Sequence, residues 1–162
     1  MTRYPSDVVQ TATGLWRLGV GVGHADELLA AVDPQAAYVV VECGNPGRGW
    51  HDAPVRIGDE AAPQVRRVRG LHFDLLVAGA ELTALGSLMR REHDGSLTCY
   101  QFEEEPKADF RLPDREPART HAMRGQGVLL HVQLPHDGES AVVSSPEESV
   151  LEAFAARLYR AA

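Results

Sequence analysis

The chain has 162 residues, 44% of them hydrophobic and 24% charged, with a formal net charge of −7. That length suits one domain, 1–162, with a core of its own, and the composition is globular rather than disordered. An acidic chain lacks the concentrated basic face that phosphate neutralisation requires, so a nucleic-acid partner is not expected.

Other classes fall away quickly. Apolar runs reach only a handful of residues, short of the ~20 that a spanning helix needs. The opening MTRYPSDVVQTATG lacks the charged-then-apolar pattern of a secretory leader, so a cytoplasmic location without membrane contact is expected. Two cysteines, Cys43 and Cys99, fit neither a disulfide framework nor a structural zinc site. The 16 basic residues are all arginine except Lys107, and their densest run, Arg66–Arg69, reads as a solvated strand or loop.

In chain order, Ser6–Leu18 carries apolar residues at Val8, Val9, Ala12, Leu15 and Trp16, a spacing that predicts a helix interrupted at Gly14. His24–Pro34 predicts a short helix with Leu28, Leu29 and Val32 on one face, stopped by the proline. Tyr38–Glu42 reads as a buried strand, and Val55–Ile57 and Leu71–Val77 as two more. Leu82, Leu85, Leu88 and Met89 share a helical face, although Gly86 weakens that reading and a hairpin strand is the alternative.

Leu97–Phe102 has the β-branched and aromatic content of a strand. Val128–Leu134 and Ser140–Ser144 flank Asp137-Gly138 and predict a hairpin. The last segment is a helix by several signals. Ser145 stands as N-cap, Pro146 at the first helical position and Glu148 at the capping-box position, followed by an apolar stripe of Val150, Leu151, Phe154 and Leu158. Arg157 and Arg160 suit the carbonyl end of its dipole. Strands and helices do not alternate, so the expected class is α+β: a mainly antiparallel sheet with N-terminal and C-terminal helices packed on it.

Reactive side chains form few convincing patterns. Cys43 follows a strand, with His51 and Asp52 nearby in CGNPGRGWHD. A thiolate needs a neighbouring cation, imidazole or helix N-terminus, and the glycines and Pro46 disfavour a helix there. A packed thiol is the plainer reading. Three His-Asp pairs (His51-Asp52, His93-Asp94, His136-Asp137) suggest metal ligands, but two run on into glycine, which is turn chemistry. No metal and no cofactor is expected. His72 and Asp74 lie two apart on one strand face and form an acid-base pair in principle, whereas His131 sits in an apolar strand and reads as a core histidine.

Between the central strands runs a long charged connection, about 103–125, with Pro106, Pro113 and Pro117. Loops of that length usually carry function or lack order. It opens with Glu103, Glu104 and Glu105, followed by Asp109, and Trp50 on another predicted loop is a second candidate contact. The expectation is a small acidic protein-binding module, such as an immunity-type inhibitor, chaperone or adaptor, whose partner is a basic protein. The alternative is a small enzyme or ligand-binding protein using Cys43 with His51, or His72 with Asp74, in a pocket at the sheet. A homodimer formed through the sheet also fits.

Overall fold

The computed structural model describes residues 8–21, 25–43, 66–67, 74–89, 96–107, 110–135 and 140–160. Its strands are β1 (Val9–Gln10), β2 (Trp16–Gly21), β3 (Tyr38–Cys43), β4 (Arg66–Arg67), β5 (Asp74–Val77), β6 (Leu97–Phe102), β7 (Val128–Leu134) and β8 (Ser140–Ser145). Four helices are described: α1 (Ala25–Ala31), α2 (Leu82–Met89), α3 (Ala118–Gly125) and α4 (Glu148–Arg160). The strands form one sheet in the order β1-β2-β8-β7-β6-β3-β5-β4, every neighbour antiparallel. The α+β class expected from the sequence holds.

Residue alternation sends one side chain in two to each face of the sheet. One face meets α1, α2 and α4 in a large apolar cluster. There Leu28 and Leu29 of α1, Leu82 and Leu85 of α2, and Leu151, Phe154 and Leu158 of α4 lie against Leu18, Val39, Leu75 and Val132. Phe154 is fully buried. Arg157 of α4 donates from Nε to the carbonyl of Ala31 at 2.7 Å, so it satisfies an orphaned carbonyl at the C-terminal end of α1. The opposite face holds a second cluster of Leu15, Val40, Leu76, Phe102, Phe110, Met123 and Val128.

The expected N-terminal helix is absent. Val9–Gln10 pairs with Trp16–Arg17 as a hairpin instead. Gly14 adopts φ +83°, a conformation that Gly tolerates and a helix interior forbids. Around it Thr11 N–H donates to the Leu15 carbonyl at 2.8 Å, and Leu15 N–H to Thr11 Oγ1 at 3.1 Å. Past the turn the burial pattern has period two, with Leu18 and Val20 buried between more exposed neighbours. An apolar spacing compatible with a helix was broken by the turn that Gly14 allows.

Residues 82–89 are helical, and Gly86 explains itself by contact. A Cβ there would lie 3.0 Å from Asp26 Cβ, so the missing side chain lets α2 approach α1. The predicted strand Val55–Ile57 lies outside the described residues, as does the Asp137-Gly138 turn, although β7 and β8 pair as expected. At the end of β8, Ser145 Oγ donates to the Leu129 carbonyl at 2.6 Å and accepts Glu147 N–H at 3.0 Å, a turn that leads into α4; the helix begins at Glu148, two residues after Pro146, the first helical position expected from the sequence.

The segment read as one long loop is also corrected at its end, where Ala118–Gly125 is helix α3. Its inner face is carried by only two buried residues, Thr120 and Met123. The stretch before it is anchored by Phe110, which is 4% exposed. The connection therefore covers the second face of the sheet through Phe110, Thr120 and Met123, while most of its described residues stay exposed.

Candidate functional site

The second face gathers aromatic side chains where β6 and β7 meet. Tyr100 and His131 are cross-strand partners, and their rings stack at a centroid distance of 4.8 Å and 11° between planes. Phe110 meets Tyr100 edge-on at 4.9 Å and Phe102 edge-on at 4.8 Å. A register shift between Gln101 and Phe102 places Phe102 opposite Val128. Without that bulge Val128 would share the face of Leu130; with it, Val128 joins the aromatic cluster and Leu130 stays under the helices.

Helix α3 presses Arg119 onto this platform, with its guanidinium Nη2 against Nδ1 of His131. An arginine can only donate, so Nδ1 is the acceptor and the imidazole proton sits on Nε2. Burial, then the Arg119 charge, hold the His131 pKa down to about 3, and the ring is neutral at ordinary pH. Such an imidazole is a poor general base near pH 7.

Beside it runs a polar chain that ties α3 to the β1–β2 turn. Thr120 Oγ1 donates to Glu116 Oε2 at 2.6 Å. That hydroxyl proton is then committed, so Thr13 Oγ1 donates to Thr120 at 2.9 Å, and Thr11 Oγ1 in turn to Thr13 at 3.1 Å. Desolvation pushes the Glu116 carboxyl up, but the side-chain and backbone hydrogen bonds from Thr120, the Thr13 hydroxyl behind it and the Arg119 charge outweigh it and hold its pKa below the ordinary value. Arg124 reaches across to the carbonyls of Thr13 (3.4 Å) and Gly14 (3.3 Å).

Where the covering segment leaves β6 and rejoins β7, a groove of about 650 Å³ opens. This volume falls among the ~300–1,000 Å³ of typical ligand sites. One wall is Glu103, Glu104, Glu105, Pro106 and Lys107; the other is Arg111 and Arg124–Gly127, with Phe102 and Phe110 below. Glu103 N–H donates to the Gly127 carbonyl at 2.9 Å and joins the two walls at the end of β6, and Gln126 Nε2 donates to the Arg111 carbonyl at 2.9 Å and ties the two parts of the second wall together. All three glutamates, with Lys107, Arg111 and Arg124, are exposed.

Of the residues singled out in the sequence, Glu103, Glu104 and Glu105 are brought together on this groove. Asp109 and Trp50 lie outside the described residues. Cys43 ends β3 opposite Leu97 and Asp74 begins β5 opposite Glu42, but His51, Asp52 and His72 lie outside the described residues, as do all three His-Asp pairs. Cys99 is buried, and burial pushes its thiol up to about 12, far from a thiolate.

Sequence reading missed the basic wall, the Arg119–His131 contact and the Thr13–Thr120–Glu116 chain. One signal was present: Phe110 and Leu112, two apart in a charged stretch, mark a segment with a side to bury. No family model, curated protein or solved structure matches the chain. No helix among the described residues is long and apolar enough to cross a membrane.

Proposed function

We propose that this chain is a protein-binding module, an immunity-type inhibitor, chaperone or adaptor working in the cytoplasm. Its partner docks at the groove with a basic segment against Glu103, Glu104 and Glu105. The observation that carries this reading is three consecutive exposed glutamates mounted on the rim of a walled groove, on a chain of net charge −7. Rim charges act mostly by long-range attraction, which raises the association rate and makes it salt-sensitive.

The test is stopped-flow association with the partner recovered by co-purification, across a salt series. The Debye length falls from ~10 Å at 0.1 M to ~3 Å at 1 M, so the wild-type rate should drop steeply over that range. The Glu103→Gln/Glu104→Gln/Glu105→Gln variant should show a flatter slope and an unchanged melting temperature, since exposed charges add little to folding. Equal salt slopes for the two proteins would return the acidic run to the status of a solvated surface.

A further inference from the structure

Building on that reading, we infer that the groove takes a peptide segment carrying charges of both signs, with a cationic side chain against Glu103 and Glu104 and a carboxylate against Arg111 and Arg124. The groove juxtaposes an acidic wall and a basic wall over the edges of Phe102 and Phe110. Glu103, Glu104, Lys107, Arg111 and Arg124 make no ion pair with one another among the described residues. Opposite charges on one groove ordinarily close on each other when their side chains can reach. Here Glu103 N–H to the Gly127 carbonyl fixes where the two walls join, and Gln126 Nε2 to the Arg111 carbonyl braces the second wall, so the backbones that carry the charges are set by contacts of their own. Arg124 spends its donors on the neutral carbonyls of Thr13 and Gly14, which orient it without cancelling its charge.

Glu103 and Glu104 on one wall and Arg111 and Arg124 on the other therefore offer charge of opposite sign on one groove without pairing with one another. A purely basic segment is attracted to the glutamates and repelled by the arginines, and a purely acidic one meets the reverse. Only a segment with both signs gains at each wall and is repelled at neither, which is complementarity by arrangement rather than by net charge. The groove's volume admits a few residues, so both charges must come from one local stretch of the partner. An arginine fork suits the carboxylate side, because it can donate two parallel hydrogen bonds to the carboxylate oxygens.

Three fluorescent peptides of equal length, acetylated and amidated, test this on the full chain by anisotropy at low salt. One alternates Lys and Asp, one carries the same number of charges as Lys only, and one as Asp only. The alternating peptide should bind at least tenfold more tightly than either other. Glu104→Gln and Arg111→Gln should each weaken it several-fold, and Arg111→Gln should strengthen binding of the all-Lys peptide. The charge swap Glu104→Arg/Arg111→Glu should restore much of the alternating peptide's affinity. Arg111 is the chosen variant because its side chain makes no hydrogen bond to another of the described residues, whereas Arg124 also orients the β1–β2 turn; an unchanged melting temperature confirms that folding is intact. Equal or tighter binding of the all-Lys peptide, insensitive to Arg111, overturns the mixed-charge proposal and leaves the acidic docking reading standing. Binding of none of the three peptides overturns it as well. In either case the salt series with the folded partner decides the broader reading by itself.

Discussion

Acid should loosen this fold through His131, and a single substitution isolates the effect. The imidazole is 3% exposed, stacked on Tyr100 and held by the Arg119 guanidinium. Burial and that charge lower its folded-state pKa from 6.5 to about 3. Between those values the unfolded chain binds a proton that the folded chain does not, so stability rises with pH across the window and is lost as pH falls from 6.5 toward 3. At ~1.36 kcal/mol per pH unit the full interval corresponds to at most about 5 kcal/mol. Down to pH 4.5 the loss should be about 2–3 kcal/mol. His131→Gln keeps a neutral acceptor for Arg119 and cannot titrate. Urea titrations of both proteins from pH 7 to 4.5 share every other titrating group, so the gap between their unfolding free energies should shrink by that amount on acidification. Arg119→Leu should reduce the pH dependence only slightly, since burial is the larger cause. Curves that stay parallel for wild type and His131→Gln would refute the claim that His131 is kept neutral by its surroundings.

Two further outcomes follow from packing. Phe154→Ala should cost about 3–5 kcal/mol by urea titration, as for fully buried aromatics, and a midpoint within error of wild type would mean that α4 does not pack on the sheet. Gly79→Ala would place a Cβ 2.1 Å from the Asp33 carbonyl oxygen and 3.1 Å from Ala36 N, so that backbone must shift; a loss of about 1–3 kcal/mol or more in thermal unfolding is expected, and neutrality would argue against that close approach.

The sequence made much of the framework legible because burial there is one-sided. β6 and β7 ran to the expected residues, and α4 formed on the expected apolar stripe, starting two residues after Pro146. It misled where two periods fit the same residues. Val8, Val9, Leu15 and Trp16 satisfy helical spacing, and only a positive φ at Gly14, a tertiary fact, turns them into a hairpin. Helix α3 escaped notice for a different reason. Its buried positions are Thr120 and Met123, and the hydroxyl is made tolerable inside by Glu116 and Thr13 rather than by apolar character. The acidic wall was visible as three adjacent letters. Its basic counterpart was not, because Arg111 and Arg124 reach Glu103 only through the closure between Glu103 and Gly127.

That closure also bears on why recognition belongs on this side of the sheet. The helix-covered face buries its side chains beneath α1, α2 and α4, and any partner reaching it would have to displace packed apolar surface. The groove instead sits where β6 ends and β7 begins, two adjacent strands in the middle of the sheet. Its charged side chains are exposed and contribute little to folding, so they can be set by what they bind. Their backbone is not free to drift: Phe110 is locked edge-on against Tyr100 and Phe102, and Tyr100 stacks on the histidine that Arg119 grips. Exposed charge on a rigid mount keeps the ordering cost of binding low, because the walls need not be assembled when the partner arrives. The same linkage makes the groove depend on His131. Protonating that ring would set two cations against each other beneath α3, next to the Tyr100–Phe110 contact on which the groove is mounted.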